Sequence, residues 1–176
     1  MGNENHGMFA NSQDPASGIP KGSVLTLTDL KAAMKEYDFL VTFERELDIV
    51  KGIIDSYRNQ DIEAEFREVK VNPDCLIATQ MFVDKVEHEV IGRFVKSGLY
   101  TVPIVEEFHP DVTHQRYVLD GHNRSKWNAI LGISPIDALE IYFPNGDMWT
   151  NYMKAAEAFG NRYVKYLSIG LPAEGL

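Results

Sequence analysis

Apolar residues recur at spacings of three and four over two long stretches of the chain, which is the period of one face of an α-helix. The two stretches cover residues 42–58 and 82–96. In the first stretch, we expect the charged residues between the apolar positions to face solvent: Glu44, Arg45, Glu46, Asp48 and Lys51. Three further segments predict shorter helices, and a fourth predicts one or two helical turns: residues 29–37, 126–131, 148–159 and 161–169.

Four segments have the alternating or continuous apolar pattern of β-strands: residues 65–71, 102–108, 115–119 and 136–143. The second and third of these segments are separated by a short polar loop, which predicts an antiparallel hairpin. Along the chain the predicted order is helix, helix, strand, helix, strand, strand, helix, strand, helix. This order predicts an α+β or mixed α/β architecture.

The 176-residue chain is long enough for one domain with a single core. Residues 1–22 are rich in Asn, Ser, Gly and Pro, so we expect a flexible tail there and a domain over residues 23–176. No apolar run is long enough to cross a bilayer and no secretion signal is evident, which predicts a cytoplasmic protein without a membrane partner. The net charge of −9 argues against a nucleic-acid partner, although a local basic patch stays open as an alternative.

The most informative chemistry lies where a predicted strand ends at Asp120 and a helix follows. Backbone N–H groups at the start of a helix attract anions, and a nearby arginine adds a forked donor. We therefore expect a phosphate to bind at the turn. The predicted binding residues are consecutive: Gly121, His122, Asn123, Arg124 and Ser125.

The segment 65–143 resembles the ParB/sulfiredoxin superfamily. The resemblance rests on an ordered set of motifs: Val69–Pro73, Phe82–Gly98, Pro103–Val105, Val118–Arg124, and Leu131–Ile133 before the last strand. It implies a mixed sheet with flanking helices, to which this chain adds an N-terminal helical segment.

Single residues separate the branches of this superfamily. Sulfiredoxins carry a catalytic cysteine directly after the turn glycine. This chain has His122 at that position, and its cysteine, Cys75, lies elsewhere in the sequence. ParB partition proteins carry Gly-Glu-Arg-Arg at the turn and add helical DNA-reading modules. A third branch phosphorylates free serine with an adenine nucleotide, and its Asp-Gly-His-His-Arg turn is similar to residues 120–124 except at Asn123.

The resemblance to this third branch implies ATP or ADP as the cofactor, Mg²⁺, and a small hydroxylated metabolite as the substrate. Asp120 would hold Mg²⁺ or accept the proton of the attacking hydroxyl, and Arg124 would neutralise charge on the transferred phosphoryl group. The branch also carries a catalytic glutamate after the first strand, which this chain lacks, and Asp74 is the candidate substitute.

Structural interpretations of the same residues stay open at this stage. Asp120 could be the N-cap of the following helix, and Arg124 could pair with Glu106 or Glu107. The leading hypothesis is a nucleotide-binding phosphotransferase. The alternatives are a ParB-like DNA-binding or nuclease-related protein and a nucleotide-sensing domain without turnover.

Overall fold

The computed structural model describes residues 24–146 and 148–170, so the predicted tail over residues 1–22 lies outside the described residues. The described part contains five α-helices: α1 (Leu27–Glu36), α2 (Phe43–Arg58), α3 (Lys85–Lys96), α4 (His122–Leu131) and α5 (Asn151–Ala158). Two short 3₁₀ turns cover Pro73–Cys75 and Val164–Tyr166. No helix in the described ranges is both long and apolar enough to span a bilayer.

The strands form one mixed five-stranded sheet and one two-stranded sheet, which confirms the α+β class. In chain order the strands are β1 (Glu65–Val71), β2 (Leu76–Ala78), β3 (Phe82–Asp84), β4 (Ile104–His109), β5 (Gln115–Asp120), β6 (Ile136–Tyr142) and β7 (Ser168–Gly170). The larger sheet has the order β1-β6-β4-β5-β2. The predicted hairpin is confirmed, because β4 and β5 pair antiparallel. β2 runs parallel to β5, and β3 pairs with β7 in the smaller sheet.

Alternation along the strands divides the core between the two faces of the larger sheet. On one face, Val105 and Leu139 pack with the apolar side of α2, and Tyr117 packs with Met153 of α5. On the other face, Ile104 and neighbouring residues pack with the segment around the second 3₁₀ turn. Helices α2 and α5 therefore lie side by side on one face, with their facing surfaces available to form a groove.

Several predicted helix boundaries were wrong, and local hydrogen bonding explains them. The helix predicted from residue 82 begins only after Asp84, which caps α3 by accepting from the N–H groups of Val86 and Glu87. Residues 148–150 precede α5 because Thr150 is its N-cap. The one or two helical turns predicted over residues 161–169 correspond to one 3₁₀ turn, and the strand β7, which follows it, was not predicted. The three-residue strand β2 was not predicted.

Candidate functional site

The turn between β5 and α4 has an uncapped helix start. Gly121 is the N-cap, with φ of 92°, and no side chain caps the first turn of α4. A Cβ at this position would lie 2.9 Å from both Ile104 Cγ2 and Arg124 Nη2, so glycine is required by space as well as by conformation. Asp120 is not the N-cap, which removes that structural interpretation. The first backbone N–H groups of α4 are left without a capping side chain, as an anion site requires.

A cleft of about 280 Å³ lies in front of this turn. We call it the cleft; its polar lining consists of Asp38, Arg45, Gln80, Glu87 and residues 120–124. The structure thus brings four of the five predicted binding residues and Asp120 to one wall. Ser125 does not line the cleft, because its side chain is fully buried.

Arg124 anchors the turn and has little surface to offer a ligand. It is 4% exposed. Its guanidinium donates to the carbonyl oxygens of Val102 and Pro103 at 3.2 and 2.6 Å. It also lies 2.7 Å from Glu46 Oε1 and 3.4 Å from Asp120 Oδ2, so its partners are not Glu106 and Glu107. Four acceptors fix the guanidinium, which makes it a positioning group for the turn.

The burial of Glu46 contradicts the prediction that it faces solvent. Its side chain is fully buried, and its Oε2 has no hydrogen-bond partner among the described residues. Burial raises the pKa of Glu46 to about 8, with Arg124 opposing the shift and the carboxylate of Asp120 adding to it. The signal was present in the spacing, since Glu46 lies three residues after Phe43 and four before Val50, on the apolar stripe of α2.

Asp120 is the accessible carboxylate of this group. Its side chain is 40% exposed, while its partners Arg124 and Glu46 are buried. It therefore joins the cleft to a buried carboxyl group that holds a proton near neutral pH. A carboxylate so placed is able to accept a proton from a ligand in the cleft.

The remaining polar side chains of the turn make structural hydrogen bonds. Nε2 of His122 accepts from the backbone N–H of Thr79 at 3.1 Å, and burial lowers the pKa of His122 to about 4, so the imidazole is neutral at physiological pH. Oδ1 of Asn123 lies 3.1 Å from Nδ1 of His88, and its amide donates to Glu87 at 3.4 Å. These contacts hold the first turn of α4 against the elements around it.

Asp74 lies apart from the cleft. It is in the 3₁₀ turn before β2, where it is exposed and 3.2 Å from the ammonium group of Lys165. Because β2 is parallel to β5, with Ala78 opposite Val118, Asp74 precedes the shared strands and Asp120 follows them. The structure does not bring the two predicted catalytic carboxylates together.

Arg45 is a cleft residue that sequence reasoning missed, as are Asp38, Gln80 and Glu87. It was expected on the solvent face of α2, and it is exposed, but it also lines the cleft. Within residues 24–146 and 148–170 its guanidinium has no hydrogen bond or ion pair, and its backbone N–H donates to Oγ1 of Thr42. No motif pointed to Arg45, because α2 lies outside the segment 65–143.

The donor set of the cleft fits a magnesium ion that arrives with phosphate groups. In the described part of the chain no three His, Cys, Asp or Glu side chains are grouped as a metal site. Asp38, Glu87 and Asp120 nevertheless line the cleft. Mg²⁺ is commonly bound by one or two carboxylates together with substrate phosphates and water.

Comparisons with known proteins do not assign the chain to a family. No protein-family model matches it, and no curated protein matches it. A solved structure, described as the crystal structure of protein Atu1540 from Agrobacterium tumefaciens, matches with a TM-score of 0.35 and 16% sequence identity. The match covers 57% of this chain and 51% of the other chain, so this chain spans about half the length of that protein. A likeness this low identifies neither the fold nor a function.

Proposed function

We propose that this protein is a nucleotide-dependent phosphotransferase, with ATP or ADP as the donor and a small hydroxylated metabolite as the acceptor. One observation carries the proposal: the uncapped start of α4 opens on a cleft that also presents the unpaired guanidinium of Arg45 and the carboxylate of Asp120. Helix N–H groups and an arginine bind phosphate oxygens, and a carboxylate beside them serves proton transfer.

In this proposal two arginines share the role that the resemblance gave to Arg124 alone. Arg124 is held by four acceptors and positions the turn. Arg45 is free to contact phosphate oxygens from the opposite wall and to stabilise charge on the transferred group.

Asp120 is the residue that would act on the reacting groups. It would contribute a ligand to Mg²⁺, which neutralises phosphate charge when bound, or accept the proton of the attacking hydroxyl. Its neighbour Glu46 keeps a proton near neutral pH, because burial raises the pKa of Glu46 to about 8. Arg124 holds the Asp120 carboxylate at the mouth of the cleft.

Nucleotide binding is tested by thermal unfolding with ATP, ADP, CTP and pyrophosphate, each with and without Mg²⁺. A ligand at a hundred times its dissociation constant adds about 2.7 kcal/mol of stability. Arg45→Ala should weaken binding about tenfold, which corresponds to one charge-assisted contact of about 1.4 kcal/mol. Arg58→Ala is the matched control, since Arg58 is an exposed arginine at the far end of the same helix. Failure of all four compounds to bind would remove the proposal.

Transfer is tested separately from binding. Phosphorylation of serine and other small hydroxylated compounds is followed by ³¹P NMR, with Asp120→Asn as the variant. We expect Asp120→Asn to retain nucleotide binding and to lose transfer by at least a hundredfold, the usual contribution of a positioned general base.

A nucleotide-sensing domain without turnover is the second candidate. It is favoured by the position of Asp74, which leaves the cleft without the carboxylate that the resemblance called for after the first strand. Tight nucleotide binding with no transfer to any acceptor would select this candidate. The DNA-binding alternative has less support, because three carboxylates line the cleft and the chain carries a charge of −9. A gel shift on duplex DNA at moderate salt tests it.

A further inference from the structure

A second and larger hollow adjoins the cleft along α2. It has a volume of about 580 Å³ and lies between α2 and the start of α5. We call it the groove. Ile49 lines both the groove and the cleft, so the two hollows meet at this side chain. Both helices lie outside the segment 65–143 that resembles a known family.

We propose that the groove binds the base of a nucleotide whose phosphates lie at the start of α4. This inference rests on the proposed function. It gives a binding site to the base of the nucleotide, whereas the cleft residues contact only the phosphates. It assigns the added helices α2 and α5 a role in recognising the donor.

The dimensions suit a single ligand that lies along α2. Arg45 lies at the phosphate end of this path. Ile53, eight residues later on α2, lines the groove. Eight residues of helix correspond to a rise of about 12 Å. An extended nucleoside diphosphate is long enough to follow this stretch of α2 from Arg45, past Ile49, to the groove.

The walls of the groove have the composition of a base-binding slot. Trp149 lies on one side with 46% of its surface exposed, and Tyr152 is beside it. Ile53 and Ile62 provide an apolar wall. Flat heteroaromatic rings stack on exposed aromatic side chains whatever the base, so this arrangement favours a nucleobase over a sugar or an aliphatic chain.

Polar groups at the groove can read the edge of a base. Gln60 and Asn151 line it with side-chain amides, which both donate and accept hydrogen bonds. The amide nitrogen of Gln60 donates to the carbonyl of Ser56 at 3.0 Å, which leaves the amide oxygen for a ligand. Two amides of this kind match the donors and acceptors along the edge of a purine or pyrimidine.

The floor of the groove is fixed by buried hydrogen bonds. Tyr57 and Thr150 line it, and their hydroxyl groups both donate to the fully buried carboxylate of Glu107. His109 lies 2.5 Å from the same carboxylate. The floor is therefore preorganised, as small-molecule sites usually are.

The experiment compares ADP, GDP, CDP and UDP with inorganic pyrophosphate by isothermal titration calorimetry in the presence of Mg²⁺. We expect at least one nucleoside diphosphate to bind more than tenfold more tightly than pyrophosphate. Trp149→Ala should remove that difference and leave pyrophosphate binding unchanged. Trp127→Phe is the control, since Trp127 is the other tryptophan of the chain and stacks on His88 away from the groove.

A second variant blocks the groove without disturbing the fold. Gly52 lines the groove on α2, and a Cβ added there meets no atom within 4 Å. Gly52→Phe should fill the slot and weaken the preferred nucleoside diphosphate more than tenfold, again without an effect on pyrophosphate.

The possible results separate this inference from the proposed function. If pyrophosphate binds as tightly as every nucleoside diphosphate, or if both groove variants retain the preference, the groove does not hold the base and the inference fails alone. If neither pyrophosphate nor any nucleoside diphosphate binds, the proposed function fails and the inference fails with it.

Discussion

Two buried glutamates of this protein are placed very differently, although one belongs to α2 and the other accepts a hydrogen bond from Tyr57 of the same helix. Glu107 belongs to a core cluster with Tyr57, His109 and Thr150, in which both carboxylate oxygens have partners. Glu46 belongs to a cleft cluster with Asp120 and Arg124, in which one of its oxygens has a partner and the other has none. The first cluster is closed to solvent, and the second ends at a half-exposed carboxylate.

The difference between the two clusters distinguishes a buried carboxylate that supports the fold from one that belongs to a functional site. A buried carboxylate with partners on both oxygens, such as Glu107, fixes the surrounding elements and has no acceptor left for a ligand, although Nδ1 of His109 in the same cluster has no partner among the described residues. An unsatisfied oxygen beside an open cleft costs stability, and such a cost is commonly found at functional sites. We therefore interpret the core cluster as the support of the fold and the cleft cluster as the reactive part of the molecule.

The largest expected effect is on stability and comes from the core cluster. Glu107→Ala leaves three buried donors without an acceptor, and we expect a loss of about 3–5 kcal/mol in the free energy of unfolding. Urea denaturation measures it, with the exposed Glu68→Ala as the control. A loss below about 1 kcal/mol would contradict the supporting role of the core cluster.

The next effect concerns pH and the cleft cluster. The pKa of Glu46 is raised from 4.5 to about 8, so its contribution is fully favourable below pH 4.5 and is lost as the pH rises toward 8. Glu46→Gln removes this titration, and we expect the variant to gain about 2–3 kcal/mol over the wild type at pH 8 and little at pH 4.5.

The measurement for Glu46→Gln is urea unfolding over pH 4.5–9, with the exposed Glu44→Gln as the control. The pKa of Glu106 is also raised by burial, but Glu106 is present in both proteins, so the difference curve isolates Glu46. Parallel curves would show that Glu46 does not hold its proton in the folded state.

A smaller effect on stability, with the opposite dependence on pH, is expected for His122. Its pKa is lowered from 6.5 to about 4, so the stability it contributes is present above pH 6.5 and is lost as the pH falls toward 4. His122→Gln keeps an acceptor for the N–H of Thr79 and should reduce the acid-induced loss at pH 5 by about 1–2 kcal/mol. The exposed His114→Gln serves for comparison, and equal acid sensitivity of both variants would refute the assignment.

The smallest effect on stability is expected at Arg45. Its guanidinium has no partner in the described part of the chain, so Arg45→Ala and Arg58→Ala should both unfold within about 0.5 kcal/mol of the wild type. The two variants should differ in nucleotide binding alone. A clear destabilisation by Arg45→Ala would move Arg45 from the functional to the structural group.

Local sequence patterns were sufficient for much of the fold. The amphipathic period and the Thr42 cap place α2 within a residue of its observed start, and alternation places β1 at its observed bounds. The β4–β5 hairpin was also predictable, since its strands are adjacent in the chain. These features depend on residues that are close in sequence.

The features that escaped prediction depend on distant partners. The partner of Glu46 is Arg124, 78 residues later, and no local pattern shows that contact. β2 has three residues and depends on its pairing with β5. A cleft lies at the turn that the motif singled out, but its opposite wall comes from α2, for which the sequence offered no motif.

Arg45 and Glu46 are consecutive, and they point in directions that differ by about 100° around the axis of α2. One is directed to water at the cleft and the other to the interior. Deleting one residue between Glu46 and Val50 would turn this part of the helix so that Arg45 took the inner place, where its guanidinium would face that of Arg124 without the carboxylate of Glu46. The angular phase of a single helical turn is thus as much a part of the site as any side chain on it.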